Sequence, residues 1–155
     1  MRREISRLLI AVICLITLAV VASAQSARAS VSASEVNGTF RMNFTGKFKG
    51  SYNEIKILAR GGGRLRVAMD LLYPYMVKGD LLANVGELDG QAVIKGDTAI
   101  YASSESGKCT ITIKFVRPGT IKVSQEGDCG FGHNVIADGT YHKVSSAKPK
   151  FETAK

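Results

Sequence analysis

Tryptophan is absent from this 155-residue chain, histidine occurs only twice, and cysteine only three times. Each scarcity narrows the field. Without tryptophan, and with no run that interleaves aromatic and basic residues, the chain has no stacking platform for nucleic-acid bases. Only His133 and His142 are available as an imidazole base, and no Gly-x-Ser-x-Gly elbow supplies a serine nucleophile. The carboxylates are dispersed in turns, as in Glu87 and Asp89 or Glu126 and Asp128, rather than paired for glycoside chemistry. These absences point away from an enzyme. The triple glycine at 61–63 is not followed by the Gly-Lys-Ser/Thr ending of a phosphate loop and opens no helix, so no nucleotide or other cofactor is implied. Long hydrophobic runs are also missing, with one exception at the N-terminus.

That exception has the layout of a secretory signal peptide. Arg2, Arg3 and Arg7 precede an uncharged run over 8–21 that ends in Ala22, Ser23 and Ala24. The run is short for a membrane span, and the small residues suit a signal peptidase. Cleavage is expected after Ala24, with Ala29 as the alternative, and the working protein is expected outside the cytoplasm, in the periplasm or beyond the cell. Cys14 lies inside the apolar run behind the bulky Ile13, which is not a lipoprotein arrangement. Cys109 and Cys129 remain. In an oxidising compartment they most simply form one disulfide, closing a loop of about 20 residues worth about 3 kcal/mol. The competing readings are free thiols or a metal half-site of Cys129 and His133 with Asp128 and Asp138.

Residues 25–36 are rich in Ser and Ala without an apolar period and read as a flexible arm. From Asn37 a period of two takes over, punctuated by glycine. Strands are expected over 40–44, 52–59, 65–71, 81–85, 91–94, 98–102, 109–116, 121–123 and 139–144. Pro74, between Tyr73 and Tyr75, is expected to end its strand, because proline removes a ladder donor. Pro118 and Gly119 suit the centre of a type II turn. Short, closely spaced strands without a helical stretch predict an all-β domain over 37–145. It is a small antiparallel up-and-down barrel, or alternatively a β-sandwich. The matching starts Asn37-Gly38-Thr39-Phe40 and Asp138-Gly139-Thr140-Tyr141 suggest that the first and last strands lie side by side. Residues 146–155 read as a mobile tail.

Several groups are candidate contact residues. Arg60, Arg64 and Arg66 flank the triple glycine, which reads either as a hairpin turn or as an anion-binding nest. Ser103, Ser104, Glu105, Ser106 and Lys108 form a polar loop before Cys109. Tyr73 and Tyr75, with Met76, Leu81 and Leu82, either plug the barrel mouth or, if exposed, anchor a partner; burial is the expectation. The net charge of +8 is scattered rather than clustered. It favours anionic surfaces, such as lipid head groups or envelope polymers, over nucleic acid. Asn37 and Asn43 match the N-glycosylation acceptor pattern.

The second half carries Cys109-x-Ile-x-Ile-x-Phe, Ile121-x-Val123-x-Gln125, Cys129-Gly130-Phe131-Gly132 and Asp138-Gly139-Thr140-Tyr141-x-Lys143. Over residues 105–145 it resembles the C-terminal β domain of small Gram-negative envelope proteins, some associated with lysozyme-inhibitor-like modules. The resemblance implies an exported, disulfide-stapled β-barrel that presents a polar loop to a protein partner. The 103–108 loop is the comparable element, and no inhibitory residue is carried over. A binding module that recognises a protein or an anionic envelope component is therefore the expected function. A small-ligand carrier and a minor envelope hydrolase are the alternatives.

Overall fold

The computed structural model describes residues 30–105 and 107–151. The segment expected to be a signal peptide, Cys14 and Ser106 lie outside the described residues. Eight strands form a closed barrel in chain order, each antiparallel to its neighbours. They are β1 (Gly38–Asn43), β2 (Tyr52–Gly61), β3 (Arg64–Val77), β4 (Asp80–Lys95), β5 (Thr98–Ser103), β6 (Cys109–Arg117), β7 (Thr120–Gly127) and β8 (Gly139–Ser145). β8 closes on β1 with Arg41 opposite His142 and Phe40 opposite Lys143. The first and last strands thus lie side by side, antiparallel and with their similar starts at opposite ends of the seam, and the barrel rather than the sandwich is the architecture.

The period of two decides which residues face inward. Ile55, Ile57, Leu65, Val67, Met69, Leu71, Ile111, Ile113, Ile121 and Tyr141 are fully buried, so side chains fill the interior. Phe40 and Phe115 meet edge to face at 6.5 Å inside it, an arrangement worth about 1 kcal/mol beyond burial. Outward positions carry Arg41, Glu54, Lys56 and Asp70 as a linked set of ion pairs. Burial pulls the Lys56 ammonium down, but Asp70 and Glu54 outweigh it and leave its pKa raised. An apolar inside with a charged outside is the reverse of a transmembrane barrel.

Both ends of the barrel are covered. At one, a helical turn, α1 (Ala33–Val36), is held by a capping box in which Ser32 and Glu35 satisfy each other's backbone N–H. Val36 is buried there. Lys143 Nζ donates to the carbonyls of Ser34, Glu35 and Asn37 at 2.7–2.9 Å, and Asn37 Oδ1 accepts the N–H of Ala59. Burial lowers the Lys143 pKa, with Glu35 acting against it. Residues 33–36 are therefore part of the barrel's closure, not of the expected flexible arm; an apolar period cannot show in so short a turn. The far end is covered by the segment 128–138, through Val135 and Ala137, which are buried.

Two strand expectations are corrected. β3 does not stop before Pro74 but runs to Val77, and the expected strands at 81–85 and 91–94 are one strand, β4. Pro74 stands opposite Ala83, and the turn Lys78-Gly79 has positive φ at both residues, as a type I′ hairpin requires. Counting back from that turn, 74 and 83 form a non-hydrogen-bonded pair, so the missing proline N–H would have pointed to the strand's free edge. Of the expected tail, residues 146–151 are described and bring Phe151 to the barrel wall, where Arg66 stacks on its ring at 4.3 Å; 152–155 lie outside the described residues.

Candidate functional site

The connections β1–β2, β3–β4, β5–β6 and β7–β8 lie at one end of the barrel and the other turns at the opposite end, because adjacent strands alternate in direction. The sequence candidates divide accordingly. Tyr73, Tyr75 and the 103–108 loop are at the first end, together with the disulfide. Arg60, Arg64 and Arg66 surround the β2–β3 turn at the second.

The first end is shaped by the unequal lengths of the strands. β2 pairs with β3 only as far as Asp70, and β5 meets β4 only at Val93, Ile94 and Lys95. β3 and β4 nevertheless pair without interruption from Arg64–Val93 to Val77–Asp80. Beyond Asp70 they therefore leave the wall as a two-stranded ribbon. Tyr73, Met76, Val77, Leu81, Leu82 and Val85 on it are 41–56% exposed. The expected burial of this cluster is thus overturned. Its side chains have the alternation of a core, but the neighbouring strands end too soon to cover them. Tyr75 is half-buried and Pro74 buried; they share a crevice with Phe44, Lys47 and Phe48 of the β1–β2 connection.

The ribbon is anchored at its base on both edges. On the β3 edge, Asn53 Oδ1 accepts the N–H of Leu72 at 2.8 Å. On the β4 edge, the N–H of Gly132 donates to the Val85 carbonyl at 3.0 Å, and Asn84 Nδ2 donates to the His133 carbonyl at 2.7 Å. The Cys109–Cys129 disulfide, with Cα atoms 4.7 Å apart, ties the start of this 128–138 strap to β6. Asp128 and Asp138 accept the backbone N–H groups of Gly130 and Gln125. The bond to Cys109 removes Cys129 as a thiolate ligand, which overturns both the metal half-site and the free-thiol reading. Among the described residues no group of three or more His, Cys, Asp or Glu is placed to hold a metal.

The 103–108 loop joins β5 to β6 beside the disulfide. Ser104, Glu105 and Lys108 are exposed, Ser103 is half-buried, and the Glu105 N–H donates to Ser103 Oγ at 3.2 Å. At the opposite end, Gly62 and Gly63 make a two-residue turn between the paired Gly61 and Arg64, each glycine at positive φ. This is the hairpin, not the nest. The three arginines do line one shallow basin with Asp89. Arg66 is engaged there in a two-pronged bond to Asp89 at 2.7 and 3.0 Å, which raises its pKa.

His142 is exposed on β8 with its Nδ1 3.4 Å from Thr120 Oγ1, and His133 is exposed in the strap. Sequence reading missed the ribbon as an element, although Lys78-Gly79 between two apolar alternating runs is a hairpin signal. No family model, curated protein or solved structure matches this chain.

Proposed function

We propose that this chain is an exported, non-enzymatic binding module that grips a protein or an anionic envelope component with the ribbon end of its barrel. The observation that carries this reading is the ribbon itself, six large apolar side chains held in water on a rigid support. Patches of a few hundred Å² of this kind mark interaction sites. The disulfide is compatible with an oxidising, exported compartment and braces the strap against which the ribbon stands. An interior filled by side chains speaks against the small-ligand carrier. Two exposed histidines whose bonds are to Thr120 and, through the backbone, to Asn84 give no support to a hydrolase.

The test is capture from envelope extract by the purified mature protein, alongside Leu81→Asp/Leu82→Asp. The reading requires a component that the native protein retains and the variant loses by at least tenfold. Equal retention by both would refute it. A lysozyme-inhibitor-like role is the more specific version, favoured by the polar 103–108 loop at the same end of the barrel as the ribbon. Inhibition of a lysozyme that Glu105→Ala/Lys108→Ala weakens supports it, and no effect on any lysozyme class removes it.

A further inference from the structure

The layering of groups along the ribbon indicates what covers it. In an antiparallel pair, alternate residues occupy opposite faces. Tyr73, Tyr75, Val77 and Leu82 share one face, and Met76, Leu81 and Val85 the other, as the pairings Tyr75–Leu82 and Met76–Leu81 require. A flat protein surface covers one face of a ribbon, whereas a fluid interface surrounds both. Addition of a partner strand is opposed at the edges. Pro74 has no N–H to give, the N–H of Leu72 is taken by Asn53, and the carbonyl of Val85 is taken by Gly132.

Distance from the turn sorts the residues further. Met76, Val77, Leu81 and Leu82 are nearest the tip, the tyrosines follow, and Phe44, Lys47 and Phe48 stand beside Tyr73, Pro74, Tyr75 and Met76. At about 3.3 Å per residue pair the apolar part spans about 10 Å, the depth to which interfacial elements enter a bilayer. Tyrosine is suited to the boundary behind it, with its ring in the apolar layer and its hydroxyl in water. Lys47 and Lys49 in the β1–β2 connection and Lys78 in the turn stand against Asp80 in the turn and Glu87 at the base, and a lysine can extend its ammonium back to the head groups. Without the expected leader, which holds Arg2, Arg3, Arg7 and Glu4, the chain's net charge of +8 falls to +6 and keeps the same sign.

We infer that the β3–β4 ribbon docks on an anionic lipid surface, with Met76, Val77, Leu81 and Leu82 inserted at the boundary of head groups and acyl chains. The inference rests on the reading that the ribbon is the chain's contact element. It places the barrel on a membrane by a shallow anchor, leaving the 103–108 loop at the lipid-facing end of the barrel.

The chain's lack of tryptophan gives the test a clean probe. Tyr75→Trp in the mature protein is mixed with vesicles of phosphatidylglycerol and phosphatidylethanolamine, or of phosphatidylcholine alone. Docking predicts a blue-shifted emission that brominated acyl chains quench. Partitioning should fall at least tenfold on phosphatidylcholine, at high salt, with Leu81→Asp/Leu82→Asp, and with Lys47→Glu/Lys49→Glu. Circular dichroism checks that each variant is folded. Failure to bind anionic vesicles overturns the inference, as does binding that the leucine variant leaves unchanged. If vesicles are not bound but the leucine variant still loses an envelope protein on capture, or dissociates a dimer seen by light scattering, lipid is the wrong occupant. The ribbon then remains the contact element. If the variant alters none of these, both readings fail.

Discussion

Asn53 Oδ1 accepts the N–H of Leu72 at 2.8 Å where the β2–β3 ladder ends, so a buried side chain replaces the strand that is no longer there. This bond lets the ribbon leave the wall without orphaning its first free donor. Asn53→Ala removes the acceptor and leaves the Leu72 N–H unpaired near the core. The expected cost is about 2 kcal/mol in urea unfolding. Hydrogen exchange should quicken first at Leu72, and the ribbon below it should become more mobile than the barrel wall. An unchanged midpoint would show that water satisfies this donor in the native protein.

Cys129 holds the strap 128–138 to Cys109, and the strap in turn braces β4 at Val85. Cutting the disulfide frees a loop of about 20 residues and should lower stability by about 3 kcal/mol. Cys109→Ala/Cys129→Ala should show the loss in a urea titration, with exchange protection falling at Gly132 before it falls in β6. Intact mass before and after alkylation of the native protein should show no free thiol at either position.

Much of the barrel was legible because its strands obey a simple alternation. Ile111, Ile113 and Phe115 declare a buried face, and the likeness of the segments starting at Asn37 and Asp138 anticipates that β1 and β8 adjoin. The ribbon was not legible, for two physical reasons. Pro74 looks like a strand terminator, yet on a free edge the missing N–H costs nothing. Gly86 and Gly90 look like turns, yet both lie inside β4 where another side chain crosses the backbone, Phe131 at the first and Tyr101 at the second. The exposure of Tyr73 and Leu82 could not be read from their own segment either, because it depends on how far β2 and β5 extend. Of the candidate contact residues, the two tyrosines and the polar loop come to one end, while the arginines, equally prominent in sequence, stand at the other.

Tyr141 is fully buried and its hydroxyl donates to the Ala137 carbonyl at 2.9 Å. Burial raises its pKa to about 12, assisted by the charge of Asp138 and opposed by a hydrogen bond with Asn53. The folded-state value is above that of the unfolded chain, about 10. The neutral phenol's contribution is therefore complete below pH 10 and is lost as pH rises through 10 towards 12. The loss by pH 12 is on the order of 2 kcal/mol. Tyr141→Phe removes this titration. Its stability relative to the native protein should be lower at pH 8, for want of the bond to Ala137, and should recover ground above pH 10. Parallel stability curves for the two proteins between pH 8 and 12 would contradict the assignment.

Gly86 tests whether the strap truly fixes the base of the ribbon. A Cβ built there would stand 2.8 Å from Phe131 Cγ and 2.8 Å from Val135 Cγ1, well inside contact distance. The strap has little freedom to retreat, since Gly132 is bonded to Val85 on one side and Cys129 is bonded to Cys109 on the other. Gly86→Ala should therefore cost about 1–3 kcal/mol, as overpacking does in a filled core. Shortening the crossing side chain should relieve it. In a double-mutant cycle, Gly86→Ala combined with Phe131→Ala should be less destabilised than the sum of the two single changes by about 1 kcal/mol. Additive losses would mean that the strap shifts freely, and the ribbon would then owe its direction to Asn53 alone.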